Sequence, residues 1–202
     1  MAGLVAAYAA FAFTFRGPRA RFWQRMTLTG AVLGSIAVAG EPSLRRPRSS
    51  VREAGLGLAI AAGLYGVFQV GDRAARRILP RGETEISDIY ALRALRPRPE
   101  IALRLAAVIA PAEELFWRGL LQRTAAARVG RFPAAAIATA AYGGAHVVTG
   151  NLALMGAAAT AGLYWSALAA LGAPMSALVI SHIAWDVWIF LIAPTHGDPG
   201  RA

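Results

Sequence analysis

Two adjacent glutamates and an arginine, in Pro111-Ala112-Glu113-Glu114-Leu115-Phe116-Trp117-Arg118, lie inside an apolar run that begins near Ile101. Ionisable groups in a membrane-buried helix cost about 2.5–3.5 kcal/mol each on insertion scales, so a chain that keeps them gathers them with partners inside a bundle. On a helix Glu114 and Arg118 are four residues apart and share a face, which pairs them. Glu113 lies about 100° further round, on the face of Trp117, and has no built-in partner. Glu113 is therefore the candidate reactive carboxylate, with Glu114–Arg118 as a structural pair beside it.

The surroundings set the fold class. Hydrophobic residues make up 56% of the 202 and mean hydropathy is +0.47, above the ~45–50% apolar share of soluble domains. About seven apolar segments alternate with short basic stretches: residues 2–15, 26–40, 54–71, 101–122, 133–148, 152–171 and 175–192. The pattern predicts an all-α, polytopic transmembrane helix bundle. The first two runs are short for a span of about 20 residues. Residues 1–100 read as N-terminal membrane segments with a polar surface loop, 101–193 as a four-helix core, and 194–202 as a short tail. Within the polar stretch 72–100, Ile86, Ile89, Tyr90 and Leu95 fall mostly at helical spacing, as in a helix lying on a membrane surface. Arginine counts favour the cytoplasmic side for this stretch.

The net charge of +10 comes from arginine alone, since there is no lysine. These arginines sit in short loops beside apolar runs, Arg16 to Arg25 and Arg45 to Arg52 among them. There they act as topology signals and lipid-headgroup contacts, which makes the bilayer a partner and excludes a nucleic-acid surface. Without cysteine there is no disulfide framework and no thiolate zinc site. The N-terminus has no basic n-region or clear cleavage site, so the first run reads as a retained membrane segment.

Further ionisable groups recur in the four-helix core. Tyr142 and His146 are four residues apart, and so are His182 and Asp186, so each pair shares a helix face. Glu113, His146, His182 and Asp186 lie about 10–20 Å along their own helices, at 1.5 Å per residue. In antiparallel helices all four reach one depth and can meet in a buried pocket. Tyr142 reads as packing with a hydroxyl contact, and Trp117, Trp185 and Trp188 as pocket walls or core.

Glu113-Glu114-x-x-x-Arg118, Tyr142-x-x-x-His146 and His182-x-x-x-Asp186 resemble, in order, the three motifs of the CAAX-protease and bacteriocin-processing family. This is the Abi, or type II CAAX prenyl endopeptidase, group of intramembrane proteases. Tyr142 stands where phenylalanine is usual, and Asp186 is the acidic variant of an asparagine position. The resemblance implies a membrane-embedded endopeptidase in which Glu113 and His146 activate water. His182 would face the developing oxyanion, with Asp186 supplementing it or fixing its tautomer. Glu114, Arg118, Tyr142 and Trp117 would support the site. Two chemistries stay open: a metal-free glutamate mechanism, and a divalent metal such as zinc held by His146, His182, Asp186 and Glu113. The implied partner is a membrane-associated peptide or protein. The lysine-free, Ala/Arg-rich composition suggests a bacterial plasma membrane. The alternative is a non-enzymatic membrane module of the same fold, for self-immunity or scaffolding. Oligomeric state is open.

Overall fold

The computed structural model describes residues 2–45 and 49–195. Arg46 and Arg48 of the second arginine cluster, and the tail beyond residue 195, lie outside the described residues. Among the described residues eight longer helices, joined in places by short 3-10 turns, follow one another: α1 (Ala2–Phe15), α2 (Phe22–Gly40), α3 (Val51–Ile78), α4 (Gly82–Tyr90), α5 (residues 98–129), α6 (Arg131–Ala145), α7 (Leu152–Ala170) and α8 (Met175–Ile192). Among the described residues there is no strand.

Local chemistry sets several boundaries. A reciprocal capping box opens α3: Ser50 Oγ accepts from Glu53 N at 3.2 Å, and Glu53 Oε2 accepts from Ser50 N at 2.9 Å. Asn151 caps α7 by accepting from Leu154 N at 2.7 Å. The left-handed turns before α6 and α7 are made by Gly130 and Gly150, at φ 85° and 65°.

Among the described residues, three helices are long and apolar enough to cross a membrane: Val51–Ile78, Leu152–Ala170 and Met175–Ile192. This corrects the expectation of about seven segments, and the reasons differ for each. Helix α1 has only 14 residues. Gln24, Arg25, Thr27 and Thr29 lower the apolarity of the first half of α2. Helix α5 carries Glu113, Glu114 and Arg118 at its middle. Helix α6 ends at Ala145, before the short 3-10 turn Val147–Thr149. Apolar side chains such as Val67, Val70, Ile137, Leu163 and Ile192 point outward all round the bundle. That is the surface of a membrane protein.

Close backbone approach holds the bundle where hydrophobic contrast cannot, because lipid is as apolar as the helices. At Gly57 a Cβ would stand 2.8 Å from the Ala177 carbonyl oxygen and 2.9 Å from Ile180, so α3 and α8 touch backbone to side chain there. Helices α1 and α2 are joined by a buried hydroxyl pair, Thr14–Thr29 at 2.7 Å, and pack against the core of α5 and α6 through Phe11 and Leu33.

The polar stretch departs from expectation in two ways. Helix α3 continues into it as far as Ile78, and the apolar side of α4 is not left free. Instead Ile86 is buried, and Ile86, Ile89 and Tyr90 line a cavity inside the bundle. The helix is fastened over that cavity from several sides. Ala153 N donates to Glu85 Oε2 at 2.9 Å, Asn151 Nδ2 to the Glu85 carbonyl at 2.9 Å, and Arg19 to the Asp88 carbonyl at 2.9 Å. An amphipathic helix finds cover wherever its apolar stripe fits, and here the bundle offers it.

Gly57→Leu overpacks the α3–α8 contact and is expected to cost about 1–3 kcal/mol, read as a lower unfolding midpoint in detergent. A midpoint equal to that of the wild type would contradict the close approach.

Candidate active site

Helix α5 is wound more widely than an ideal helix at two places, Leu105–Ile109 and Leu115–Gln122, with π-type turns on either side of the glutamate doublet. Pro111 removes one backbone donor at this point, and wide turns re-route the ladder; such turns recur at functional sites. The doublet is aimed in two directions. Glu113 Oε2 accepts from the Tyr142 hydroxyl on α6 at 2.9 Å. Glu114 Oε1 accepts from Arg118 at 3.0 Å and faces His182 Nδ1 on α8 at 2.8 Å. Arg118 then donates to the Gly162 carbonyl on α7 at 3.1 Å. The side chains of Glu114 and Arg118 are wholly buried.

The second motif sits at the end of α6. His146 Nδ1 is 2.9 Å from the Tyr142 carbonyl. A carbonyl only accepts, so Nδ1 carries the proton and a neutral ring keeps its lone pair on Nε2. Phe11 and Phe15 of α1 pack on this ring at 5.0 and 5.9 Å between centroids. In the third motif His182 Nε2 stands 3.6 Å from Asp186 Oδ2, longer than the Glu114 contact. By distance Glu114 is the nearer carboxylate to set the tautomer of His182, a role that the resemblance offers as one of the alternatives for Asp186.

Glu113, Tyr142, His146, His182, Trp185 and Asp186 all line one cavity of about 520 Å³. Its remaining walls are largely apolar and come from α1, α2, α3, α4, α5, α7 and α8. Glu114, Arg118 and Trp117 stand behind that wall. Trp117 is fully buried against Phe11, Phe116 and Tyr142. Trp188, read from sequence as pocket wall or core, is 49% exposed. Six residues past His182, it falls on another face of α8. Trp165, which the sequence reading passed over, is fully buried and stacks on His182. Its only signal is a bulky aromatic in a helix otherwise dominated by alanine and glycine.

Among the described residues no three His, Asp or Glu side chains are grouped as metal ligands. His182 has its Nδ1 engaged by Glu114, His146 its Nδ1 by a carbonyl, and Glu113 an oxygen by Tyr142. These bonds leave His146 Nε2, His182 Nε2 and the second Glu113 oxygen for the cavity, and an imidazole held at Nδ1 by a carbonyl or carboxylate is also the usual form of a metal ligand, so the residues named for zinc (His146, His182, Asp186 and Glu113) suit either chemistry by donor type.

Fold and site together define a helical membrane protein with carboxylates and imidazoles gathered on the wall of a cavity among its helices. Residues 98–188, just under half of the chain, match the family model described as type II CAAX prenyl endopeptidase Rce1-like. The match contains all three motifs and bears out the resemblance drawn from them; a membrane protease-like function follows at that level. No curated protein and no solved structure matches the chain.

Arg118→Leu leaves the buried Glu114 charge short of one donor. It is expected to cost about 3–5 kcal/mol, measured by denaturant unfolding in detergent, and a loss within experimental error would show the pair to be dispensable.

Proposed function

We propose that the protein is an intramembrane endopeptidase that hydrolyses a peptide bond of a membrane-associated peptide or protein, in a multi-pass bacterial plasma-membrane setting. The observation that carries this reading is the presence of Glu113, His146, His182 and Asp186 on the wall of a single cavity. Apolar walls favour an apolar segment of substrate beside the reacting bond.

The reaction follows from the donors and acceptors in place. Glu113 takes a proton from a water molecule, and the free Nε2 lone pair of His146 orients that water. The resulting hydroxide attacks the carbonyl carbon of the scissile amide. Charge then builds on the carbonyl oxygen. A doubly protonated His182, with Nδ1–H directed at Glu114, presents Nε2–H to that oxygen. The C–N bond breaks as Glu113 returns its proton to the leaving amine. Tyr142 donates to the Glu113 oxygen that is not taking the proton and so fixes the direction of the other. The reading is metal-free, since Glu113 and the His146 lone pair are enough to deprotonate and orient the water.

Purified protein in liposomes, supplied with candidate membrane peptides, tests it. Glu113→Ala and His146→Ala are each expected to lower the cleavage rate by about 10²–10⁴-fold, the usual worth of a positioned acid–base group. Equal cleavage by wild type and both variants would remove the proposed site. Chelation is expected to leave the rate unchanged, and a loss restored by zinc would overturn the metal-free reading.

A further inference from the structure

Helix α7 contributes no residue to any of the three motifs, yet its one fully buried large aromatic lies against the third. The rings of Trp165 and His182 are 4.0 Å apart between centroids and 25° from parallel, a near face-to-face stack. The indole is itself tethered. Its Nε1 donates to Ser181 Oγ at 2.9 Å, and that hydroxyl donates to the Leu178 carbonyl at 2.7 Å, which locks the indole to α8 one residue before the histidine. The guanidinium of Arg118 lies 5.4 Å from the centre of the same indole.

These contacts close a ring of four side chains. Glu114 bonds both Arg118 and His182, and Trp165 meets both Arg118 and His182. An in-plane bond at Nδ1 restrains the rotation of an imidazole about Cβ–Cγ through a single contact, and that torsion is a broad one. A flat surface against its face removes the rotation. In this cluster that surface is Trp165, so the direction of Nε2 into the cavity is set jointly by Glu114 and Trp165. The indole face also suits a ring carrying positive charge.

We infer that Trp165 is a positioning residue that holds the plane of His182 and so aims its Nε2 at the reacting carbonyl. The catalytic part of this inference rests on the proteolytic reading above; the geometric part does not. Trp165 touches no substrate. Its effect passes through His182, and the Ser181 hydroxyl in turn holds the indole.

Two measurements on the full-length protein in detergent test it. The first is the histidine proton spectrum, with only three histidines in the chain and the His182 signals assigned by their loss in His182→Asn. Stacking on an indole is expected to move the carbon-bound ring protons of His182 upfield of free histidine in the wild type. The shift should be largely lost in Trp165→Leu and reduced in Trp165→Phe. Wild-type signals at the free-histidine position would overturn the inference without reference to activity or to any variant's folding.

The second measurement is peptide cleavage. Trp165→Leu is expected to lower kcat by about 10–100-fold, the scale of a misaimed catalytic group, with KM little changed and an altered pH profile of kcat. Trp165→Phe, which keeps a flat face, should restore most of the rate. A folded Trp165→Leu protein with wild-type kcat and pH profile would overturn the positioning role. So would a Trp165→Phe protein that loses as much kcat as Trp165→Leu. Should Glu113→Ala cleave as well as wild type, the proteolytic reading fails, while the spectrum still decides whether Trp165 orients His182.

Discussion

A single buried carboxylate oxygen ties the bundle together. Glu114 Oε1 meets Arg118 from its own helix and His182 from α8, and Arg118 passes on to a backbone carbonyl of α7. A carboxylate stripped of water is tolerable only when such donors replace its hydration. Each partner is therefore constrained by the others, and three helices are held in register by polar contacts in a setting where apolar packing alone distinguishes weakly between arrangements. The first glutamate of the doublet is released from that duty and faces the cavity.

The small residues around the cluster make this closeness possible. Gly162 has no side chain where a Cβ would stand 3.0 Å from the Tyr142 ring, and its carbonyl is the one that receives Arg118. Tyr142 approaches α7 there while its hydroxyl reaches Glu113 and its carbonyl holds His146. One tyrosine thus connects the first motif to the second through both ends of the residue. The hydroxyl that distinguishes it from phenylalanine has a specific partner.

The region that matches the family model supplies the polar side of the cavity; much of the apolar side comes from elsewhere. Phe15, Phe22, Trp23 and Met26 from the first two helices, and Ile86, Ile89 and Tyr90 from α4, line the same space. Helix α4 is pinned at its backbone and by Glu85 to the start of α7, and Trp23 Nε1 donates to the Leu92 carbonyl just beyond it. The walls of the cavity therefore come from both sides of position 98, while its motif residues all lie after it.

What the sequence determined by itself was local in range. Apolar runs and isolated ionisable residues specify buried helices, and four-residue spacings specify which groups share a face; Glu114–Arg118 and the placement of Tyr142 beside His146 follow from helix geometry alone. The three motifs in order were enough to draw the resemblance that the family model bears out. The number of helices long enough to span was less legible, because length and interior charge together decide it, and α5 has the length but carries three charges at its centre. Tertiary structure alone decided that His182 turns to Glu114 before Asp186, that Trp165 lies under it, that Trp188 faces outward and that α4 folds over the cavity. Each of these joins residues far apart in the chain, and no periodicity within one helix encodes the distance between two.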